Sequence, residues 1–389
     1  MSMIPNSVSI FPIDCVTWSP SRIIRISILL MPKLTPIFTS FILATLLAGC
    51  GGSHSSSESA VASQDRKVRI ELASFIPLSV NVIGEQLTHI SNELDRISGG
   101  NVTFEIFEPN ALVGPLEILD AVSDGKVDAG YGAAAFWAGK IPSAPLFCAI
   151  PFGPNSSEFL SWLYEGNGMK LYQEMYDTNG FDVKVFVCAI IPPETSGWFA
   201  NEITSVDDLK DLKMRFFGLG GVIMGKLGVS VSVLPGGEIF PALEKGVIDA
   251  TEYSLPSVDE SQGFHKLVNY NYFPGWHQQS TTHELIINKS VWERLSKTQQ
   301  AQIETACKSS ILHSIAYCTA IQAPAMKRNE ERGVQSKQWA PEMIDTFRET
   351  WEEVAAEESA KDPFFKKVWD DLQAFRAEYA TWADRAFLR

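Results

Sequence analysis

The segment Val68-Arg69-Ile70-Glu71-Leu72-Ala73 alternates apolar and polar side chains, and Ile83, Leu87, Ile90, Leu94 and Ile97 then recur at helical spacing. Gly99-Gly100 closes that helix, and Val102, Phe104 and Ile106 restore the two-residue period of a strand. A helix between two strands is too long a connection for a hairpin, so the strands must lie parallel, joined by a right-handed crossover. The fold class this predicts is α/β. At 389 residues the chain exceeds the roughly 250 to 300 at which single cores stop growing, which predicts two lobes.

A short internal echo supports the two-lobed reading. Ala121-Val122-Ser123-Asp124-Gly125-Lys126-Val127-Asp128-Ala129 is matched by Ala242-Leu243-Glu244-Lys245-Gly246-Val247-Ile248-Asp249-Ala250, with Tyr131 and Tyr253 just beyond. Each copy reads as a helix end, a glycine cap and a short strand. If the copies occupy matching places in two lobes, residues 131–137 and 251–253 face each other across the cleft. Residues 67–190 then form mainly the first lobe and 191–290 mainly the second. Residues 291–389 supply a long helix spanning both, capped by Ser290 and interrupted by Pro324, followed by C-terminal helices. In the last of these, Phe365, Val368, Leu372, Phe375, Tyr379 and Trp382 share one face, which packs either on its own domain or on a second copy.

The N-terminal part reads as a targeting segment. From Met31 come one lysine, an apolar run over 37–47, and Leu47-Ala48-Gly49-Cys50 before a Ser-rich stretch, which is signal-peptide order. The Leu-Ala-Gly-Cys box resembles a bacterial lipoprotein cleavage site, with lipid on Cys50, residues 1–30 lying upstream of the signal and 50–66 acting as a flexible tether. Beyond Cys15 and Cys50 the cysteines are Cys148, Cys188, Cys307 and Cys318. Cys307 and Cys318 lie on one predicted helix, about 16 Å apart, too far to bridge. Buried thiols are the expectation, with a Cys148–Cys188 pair left open for an oxidising compartment.

A formal net charge of -14 argues against nucleic acid as a partner, because that role needs a basic face. The motifs of zinc metalloproteases, serine hydrolases and Walker-type nucleotide enzymes are absent, and the six histidines show no ligand spacing. His277 and His283 share one polar segment, 276–284. Residues 217–221 are glycine-rich but lack the dinucleotide fingerprint and read as a turn that opens a helix. The chemistry concentrates over 213–253. Lys213-Met214-Arg215 ends one strand and Ala250-Thr251-Glu252 ends another, and in an open α/β sheet the carboxyl ends of strands face the ligand crevice. Arg215, followed by Phe216-Phe217-Gly218, offers a planar fork that grips a carboxylate with two parallel hydrogen bonds. Glu252 in the same place would repel that carboxylate unless a cation, Na⁺ or Ca²⁺, sat between them, with Glu194 and Gln278 as further oxygen ligands.

Gly197-Trp198-Phe199, Leu209-Lys210-Asp211-Leu212-Lys213-Met214-Arg215, Gly236-Gly237-Glu238-Ile239-Phe240-Pro241-Ala242-Leu243, Ile248-Asp249-Ala250-Thr251-Glu252 and Phe273-Pro274-Gly275-Trp276-His277 together resemble the extracytoplasmic solute-binding proteins of tripartite ATP-independent periplasmic (TRAP) transporters, from about residue 68 to the C-terminus. Within that family the chain looks most similar to the branch that binds 2-oxo acids together with a metal cation. The resemblance implies a two-lobed periplasmic-binding-protein-like fold with long inter-lobe helices and no catalytic activity. It assigns the carboxylate to Arg215 and the cation, Ca²⁺ or Na⁺, to Glu194, Glu252, the backbone of Tyr253 and Gln278. Ala134, Ala135, Phe136 and Trp137 become the opposing wall, and Trp276, Glu194 and Tyr253 join Arg215 on the substrate side. Two membrane subunits of a TRAP permease are the implied partners, with a homodimer through an exchanged C-terminal helix. The chain departs from the pattern in carrying Glu194 where a glutamine is expected and Tyr253 where a tryptophan is; an extra carboxylate favours a divalent ion. The alternatives are an envelope enzyme using Glu252 or His277 as acid or base, and a sensor that presents ligand to a receptor.

Overall fold

The computed structural model describes residues 66–387. The signal segment, the Cys50 box and most of the tether lie outside the described residues. Eleven strands are present among the described residues: β1 (Val68–Ser74), β2 (Val102–Phe107), β3 (Ala129–Gly132), β4 (Val183–Ile191), β5 (Gly197–Phe199), β6 (Lys213–Arg215), β7 (Ser230–Ser232), β8 (Ala250–Thr251), β9 (Tyr270–Phe273), β10 (Thr281–Asn288) and β11 (Gln335–Gln338). They form two sheets, ordered β2-β1-β3-β10-β4 and β11-β9-β5-β8-β6-β7. The opening unit folds as its periodicity predicts: β1 and β2 pair in parallel, joined through helix Ile83–Ser98, and Gly99 ends that helix at φ 59°, a left-handed conformation that suits glycine.

The echo is structural as well. β3 lies parallel to β1 in the first sheet, and β8 lies parallel to β6 in the second. Gly125 and Gly246 precede them at φ 71° and 67°. Asp128 and Asp249 then do the same work, each accepting a hydrogen bond at 3.1 Å from the backbone of the neighbouring strand, from Glu71 N and Lys213 N respectively. Each copy thus latches its strand to the one beside it and delivers the next residues of the chain to the carboxyl end of its sheet.

Three expectations need correction. Ser290 does not cap a continuous long helix: Asn288 Oδ1 accepts from Ser290 N at 3.0 Å and starts the short helix Lys289–Arg294. Leu295 is extended, and Ser296 begins helix Lys297–Ala320 through a capping box, with Ser296 Oγ accepting from Gln299 N and Gln299 Oε1 from Ser296 N. Pro324 falls in the first turn of the next helix, Gln322–Glu331, where a missing N–H costs nothing. Finally, Cys188 is not a free thiol, nor paired with Cys148: helix Lys297–Ala320 packs on β4, and Cys188 and Cys307 form a disulfide there. Cys148 and Cys318 are buried free thiols.

The C-terminal helix, Pro363–Ala386, packs its first turns on the body, where Phe365, Val368 and Leu372 are buried and Asp371 accepts from Trp162 Nε1 at 2.8 Å. No helix among the described residues is long and apolar enough to cross a membrane. The disulfide spans 119 residues of sequence. Closing so long a loop restricts the unfolded chain, so the double variant Cys188→Ala/Cys307→Ala is expected to lose about 2 to 4 kcal/mol of stability in denaturant unfolding. Reductant should produce the same loss in the wild type and none in the variant.

Candidate functional site

Arg215 ends β6 and Glu252 follows β8; the two strands pair in parallel, with Arg215 opposite Thr251, so both side chains leave the same edge of the second sheet. They meet as an ion pair, Arg215 Nη1 donating to Glu252 Oε2 at 2.8 Å, with side chains 3 % and 0 % exposed. Nη1 also donates to the backbone oxygen of Glu252 at 2.6 Å, and Nε to Leu234 O at 3.2 Å. The backbone N–H of Phe217 completes the set at 3.1 Å from Glu252 Oε2. Two of the three guanidinium nitrogens are therefore spent on the protein, and Nη2 makes no hydrogen bond among the described residues. The guanidinium carbon lies over the rings of Phe217 and Tyr253, 5.7 and 5.5 Å from their centroids.

A second carboxylate stands beside this pair. Thr281 Oγ1 donates to Glu194 Oε1 at 3.3 Å, and the backbone N–H of Glu194 donates to Gln278 O at 3.2 Å. Gly275 permits this approach, because a Cβ there would collide with the carbonyl oxygen of Glu194. The Gln278 side-chain amide touches Glu194 Oε2 and lies 3.2 Å from Glu252 Oε1. With its NH₂ toward them it donates to both; with its carbonyl toward them, three oxygens converge, which a cation or a proton on Glu194 satisfies. His277 Nε2 is 3.5 Å from Glu252 Oε1 but lacks hydrogen-bond geometry, so both ring nitrogens are buried without a partner. Ligand atoms of Glu194, Glu252 and His277 all lie within 4.8 Å of one another. Two buried carboxylates, an amide oxygen and an orphaned imidazole fit a cation in this place, and the oxygen donors suit Ca²⁺ or Na⁺.

The two acids differ in electrostatic state. Burial raises Glu194 well above the ordinary carboxyl range, and the charges of Glu252 and Asp259 raise it further. Burial also works against the charge on Glu252, but Arg215, then His277 and the Phe217 N–H, outweigh it and hold that carboxyl below its ordinary value.

Arg215, Glu194 and Gln278 line a cavity of about 40 Å³ together with Tyr253, Ser254 and Thr281. The first sheet contributes Phe75, Ala133, Phe136 and His283, and Phe136 meets Phe217 edge-on at 4.6 Å between ring centroids. Of the wall expected over 134–137, Phe136 faces the cavity. Ala134 and Ala135 are buried and do not line it, and the Trp137 indole turns away to donate to Glu284 Oε1 at 2.7 Å. Glu284 is fully buried and also accepts from Tyr172 at 2.6 Å and Tyr176 at 2.8 Å, so Trp137 anchors the turn that presents Phe136. Trp276 stacks on Phe347 and Phe152 in the core. Glu252 and His277 sit behind the cavity wall.

Sequence reasoning missed Phe75, Ser254 and Thr281, which carry no motif, while Ala133 falls in the 131–137 stretch expected to face the cleft. It also missed Asp259, whose Oδ2 accepts from Trp198 Nε1 at 2.7 Å and Thr195 Oγ1 at 3.3 Å while Oδ1 accepts from Ser254 N at 3.1 Å. Burial pushes its pKa up to about 7. Asp259 ties the loop bearing Glu194 to the segment after Glu252, yet in sequence it is only an acid in a first helical turn. His283 was read only as part of a polar segment; burial holds its imidazole down at about 4, so it lines the cavity uncharged.

Residues 78–362 match the family model of bacterial extracellular solute-binding proteins, family 7, DctP. The chain belongs to this family. It is 34 % identical over 293 residues, 75 % of this chain and 80 % of the relative, to a monocarboxylate 2-oxoacid-binding periplasmic protein of Nostoc sp.. A TRAP solute-binding protein from Bordetella bronchiseptica, a mixed-occupancy dimer with copurified calcium and picolinate in the occupied site, superimposes with a TM-score of 0.80 at 29 % identity, covering 83 % of this chain and 95 % of that one. TRAP solute-binding proteins from Pseudoalteromonas atlantica, with sodium and pyruvate, and Colwellia psychrerythraea, with calcium and pyruvate, each give a TM-score of 0.78 at 28 % identity, covering 82 % of this chain and 97 % and 98 % of theirs. The fold is that of a TRAP solute-binding protein, as the motifs around Arg215 and Glu252 predicted.

Two substitutions probe how this solute-binding protein holds its site. Gly275→Ala forces the Glu194 backbone away and is expected to cost about 1 to 3 kcal/mol in denaturant unfolding. Trp137→Phe strips one donor from buried Glu284 and is expected to cost a similar ~1 to 3 kcal/mol. A variant as stable as wild type would show that the corresponding contact does not constrain the site.

Proposed function

We propose that the protein is the substrate-binding component of a TRAP transporter, capturing a small 2-oxo or 2-hydroxy monocarboxylate with a metal cation between its two sheets for import through two membrane permease subunits. The observation that carries this reading is the Arg215 guanidinium: buried, fixed by Glu252 and Leu234, and lining the cavity with Nη2 uncommitted. Such a group offers charge-assisted hydrogen bonds to an anion at little reorganisation cost. Glu194 and Gln278 line the same cavity and, with Glu252 behind them, would hold Ca²⁺ or Na⁺; His277 adds a nitrogen at the back. When bound, the cation supplies the positive charge that lets a carboxylate ligand lie beside Glu194. Relatives with calcium or sodium beside pyruvate or picolinate support this assignment.

The sheets with their helices act as lobes, drawn mainly from 67–190 and 191–290. An enzyme using Glu252 or His277 as acid or base is less well supported, since neither lines the cavity. A ligand-presenting sensor uses the same cleft and differs only in its partner. The protein works in the periplasm, held to a membrane surface by lipid on Cys50. Exposed Trp382 and Phe387 at the end of the last helix support a homodimer through that helix.

Arg215→Lys keeps a cation beside Glu252 but loses the uncommitted Nη2, so pyruvate affinity in calorimetry is expected to fall at least tenfold, by about 1.4 kcal/mol or more. Arg215→Ala should lose binding and also about 3 to 5 kcal/mol of stability, because Glu252 is left buried and unpaired. Unchanged pyruvate affinity in the lysine variant would sink the assignment. Chelator-treated wild type should lose the thermal shift that pyruvate produces and regain it with Ca²⁺ or Na⁺; a shift indifferent to chelation and to both ions would remove the cation from the reading.

A further inference from the structure

A basic pocket lies where the first strand begins. Its volume is about 540 Å³, it sits at the amino ends of β1 and β3, and Arg66, Lys67, Arg69, Arg294, Asp128 and Gln299 line it. Arg69 is paired with Glu105, and Asp128 accepts from Glu71 N. The side chains of Arg66, Lys67 and Arg294 make no ion pair or hydrogen bond among the described residues. The chain has 46 acids against 32 lysines and arginines, and bases elsewhere find acids, as Lys140 does in Asp120 and Arg328 in Glu260. Three bases that converge on one cavity and find none mark a place for an anion. The entry of the chain is also fixed there. Gln299, only 3 % exposed, donates to the backbone oxygen of Arg66 at 2.8 Å while its Oε1 accepts from Ser296 N, which pins Arg66 to the start of helix Lys297–Ala320. The positive end of that helix adds to the field of the three bases.

We propose that this pocket is a docking surface for the phosphate of an anionic phospholipid headgroup, and that it rests the receptor on its membrane with the cleft turned away from the bilayer. The inference rests on the lipid anchor read at Cys50. From Cys50 to Arg66 the chain reaches roughly 55 Å at most, so the membrane that anchors the protein stays within reach of the pocket. A net charge of -14 sets the rest of the surface against an anionic bilayer, whereas the guanidinium and ammonium groups here attract its phosphates. β1 and β3 run parallel, and just beyond their carboxyl ends Phe75 and Ala133 line the ligand cavity. The pocket is at their other ends, about 23 Å away along the seven residues of β1. A receptor resting on it therefore opens its cleft to the compartment, where solute is captured. It must leave the surface to turn the cleft toward the permease, and the same reach permits that turn. Each base contributes a modest attraction, which keeps the docking reversible.

The exported, lipid-bearing chain, reconstituted on vesicles of phosphatidylcholine alone or with one third phosphatidylglycerol, tests this. Energy transfer to an acceptor lipid from a dye on Thr298→Cys, an exposed position at the start of helix Lys297–Ala320, reports how near the pocket lies to the bilayer. The free thiols Cys148 and Cys318 are buried and take no dye. Phosphatidylglycerol is expected to raise the ratio of docked to undocked receptor by about fivefold per base, about a hundredfold for the three. In 1 M salt, where the screening length falls to about 3 Å, the difference between the vesicles should vanish. The triple variant Arg66→Gln/Lys67→Gln/Arg294→Gln should transfer equally little on both vesicles and keep the wild-type affinity for pyruvate. Lys67→Gln alone should lose about fivefold, and it decides the matter should the triple variant not fold. Equal transfer from the wild type on the two vesicles overturns the docking, as does a triple variant that still responds to phosphatidylglycerol. Micromolar binding of inorganic phosphate without vesicles would make this a soluble-anion site, and a triple variant defective only toward the permease would make it a protein contact; either overturns the membrane assignment. If mass spectrometry finds no lipid on Cys50, the anchor reading fails by itself, and flotation of that chain with phosphatidylglycerol vesicles, lost in the triple variant, still tests the pocket.

Discussion

The Arg215–Glu252 pair is the constraint around which the second sheet is arranged. Taking two charges out of water costs several kcal/mol per ion, and the low-dielectric attraction repays that only when the remaining donors and acceptors are also met. Here Leu234 O, Glu252 O and Phe217 N–H meet them. Each partner fixes a stretch of chain: the turn after β6, the loop after β7 and the segment after β8. Those three stretches carry Phe217, Pro235 and Gly236, and Tyr253, which border the ligand cavity and a second cavity adjoining it. A change in the pair would move all of them together.

Pairing also relocates the need for a cation. Read from sequence, Arg215 and Glu252 had separate partners, the anion for one and the metal for the other. In the fold they neutralise each other, so Glu252 alone creates no demand for an ion. The unbalanced group is Glu194, buried, raised well above the usual carboxyl range and in contact with Gln278. A cation there, bound as proposed, would turn this awkward buried acid into half of a neutral arrangement beside which a carboxylate can lie. Glu194 is thus the group whose charge a metal, held as proposed, would answer.

What was legible in the sequence was periodic or local: the first strand-helix-strand unit, the glycine-capped echo, the exits of β6 and β8. Arg215, Glu194, Glu252 and Gln278 come together because short-range patterns and family motifs placed each at a strand end or in a loop beside one. What was illegible depended on rotamers and on distant packing. Nothing in Ala134-Ala135-Phe136-Trp137 says that the phenylalanine faces the cleft while the tryptophan turns back to Glu284, for that choice is made by Tyr172 and Tyr176 on a helix some forty residues later. Nor does spacing join Cys188 to Cys307, since their meeting requires helix Lys297–Ala320 to lie on β4. The break at Leu295 was legible and overlooked: Ser296-Lys297-Thr298-Gln299 is a capping box.

The two echo copies share a latch and then diverge, and the divergence explains how a cleft can be charged on one wall and apolar on the other. After Asp128 the chain delivers Tyr131, whose hydroxyl is satisfied by Gln86 Oε1 at 3.2 Å, and then the turn bearing Phe136. After Asp249 it delivers Glu252 and Tyr253, with Arg215 from the neighbouring strand. An anion held by the second sheet alone would keep one face in water, where a guanidinium–carboxylate contact is weak. Phe75, Ala133 and Phe136 of the first sheet bring no competing charge; their contribution is to remove solvent. The apolar wall therefore strengthens the contacts of the charged one without touching the ligand's charge, and the geometry of the first copy matters to binding through the dielectric it sets.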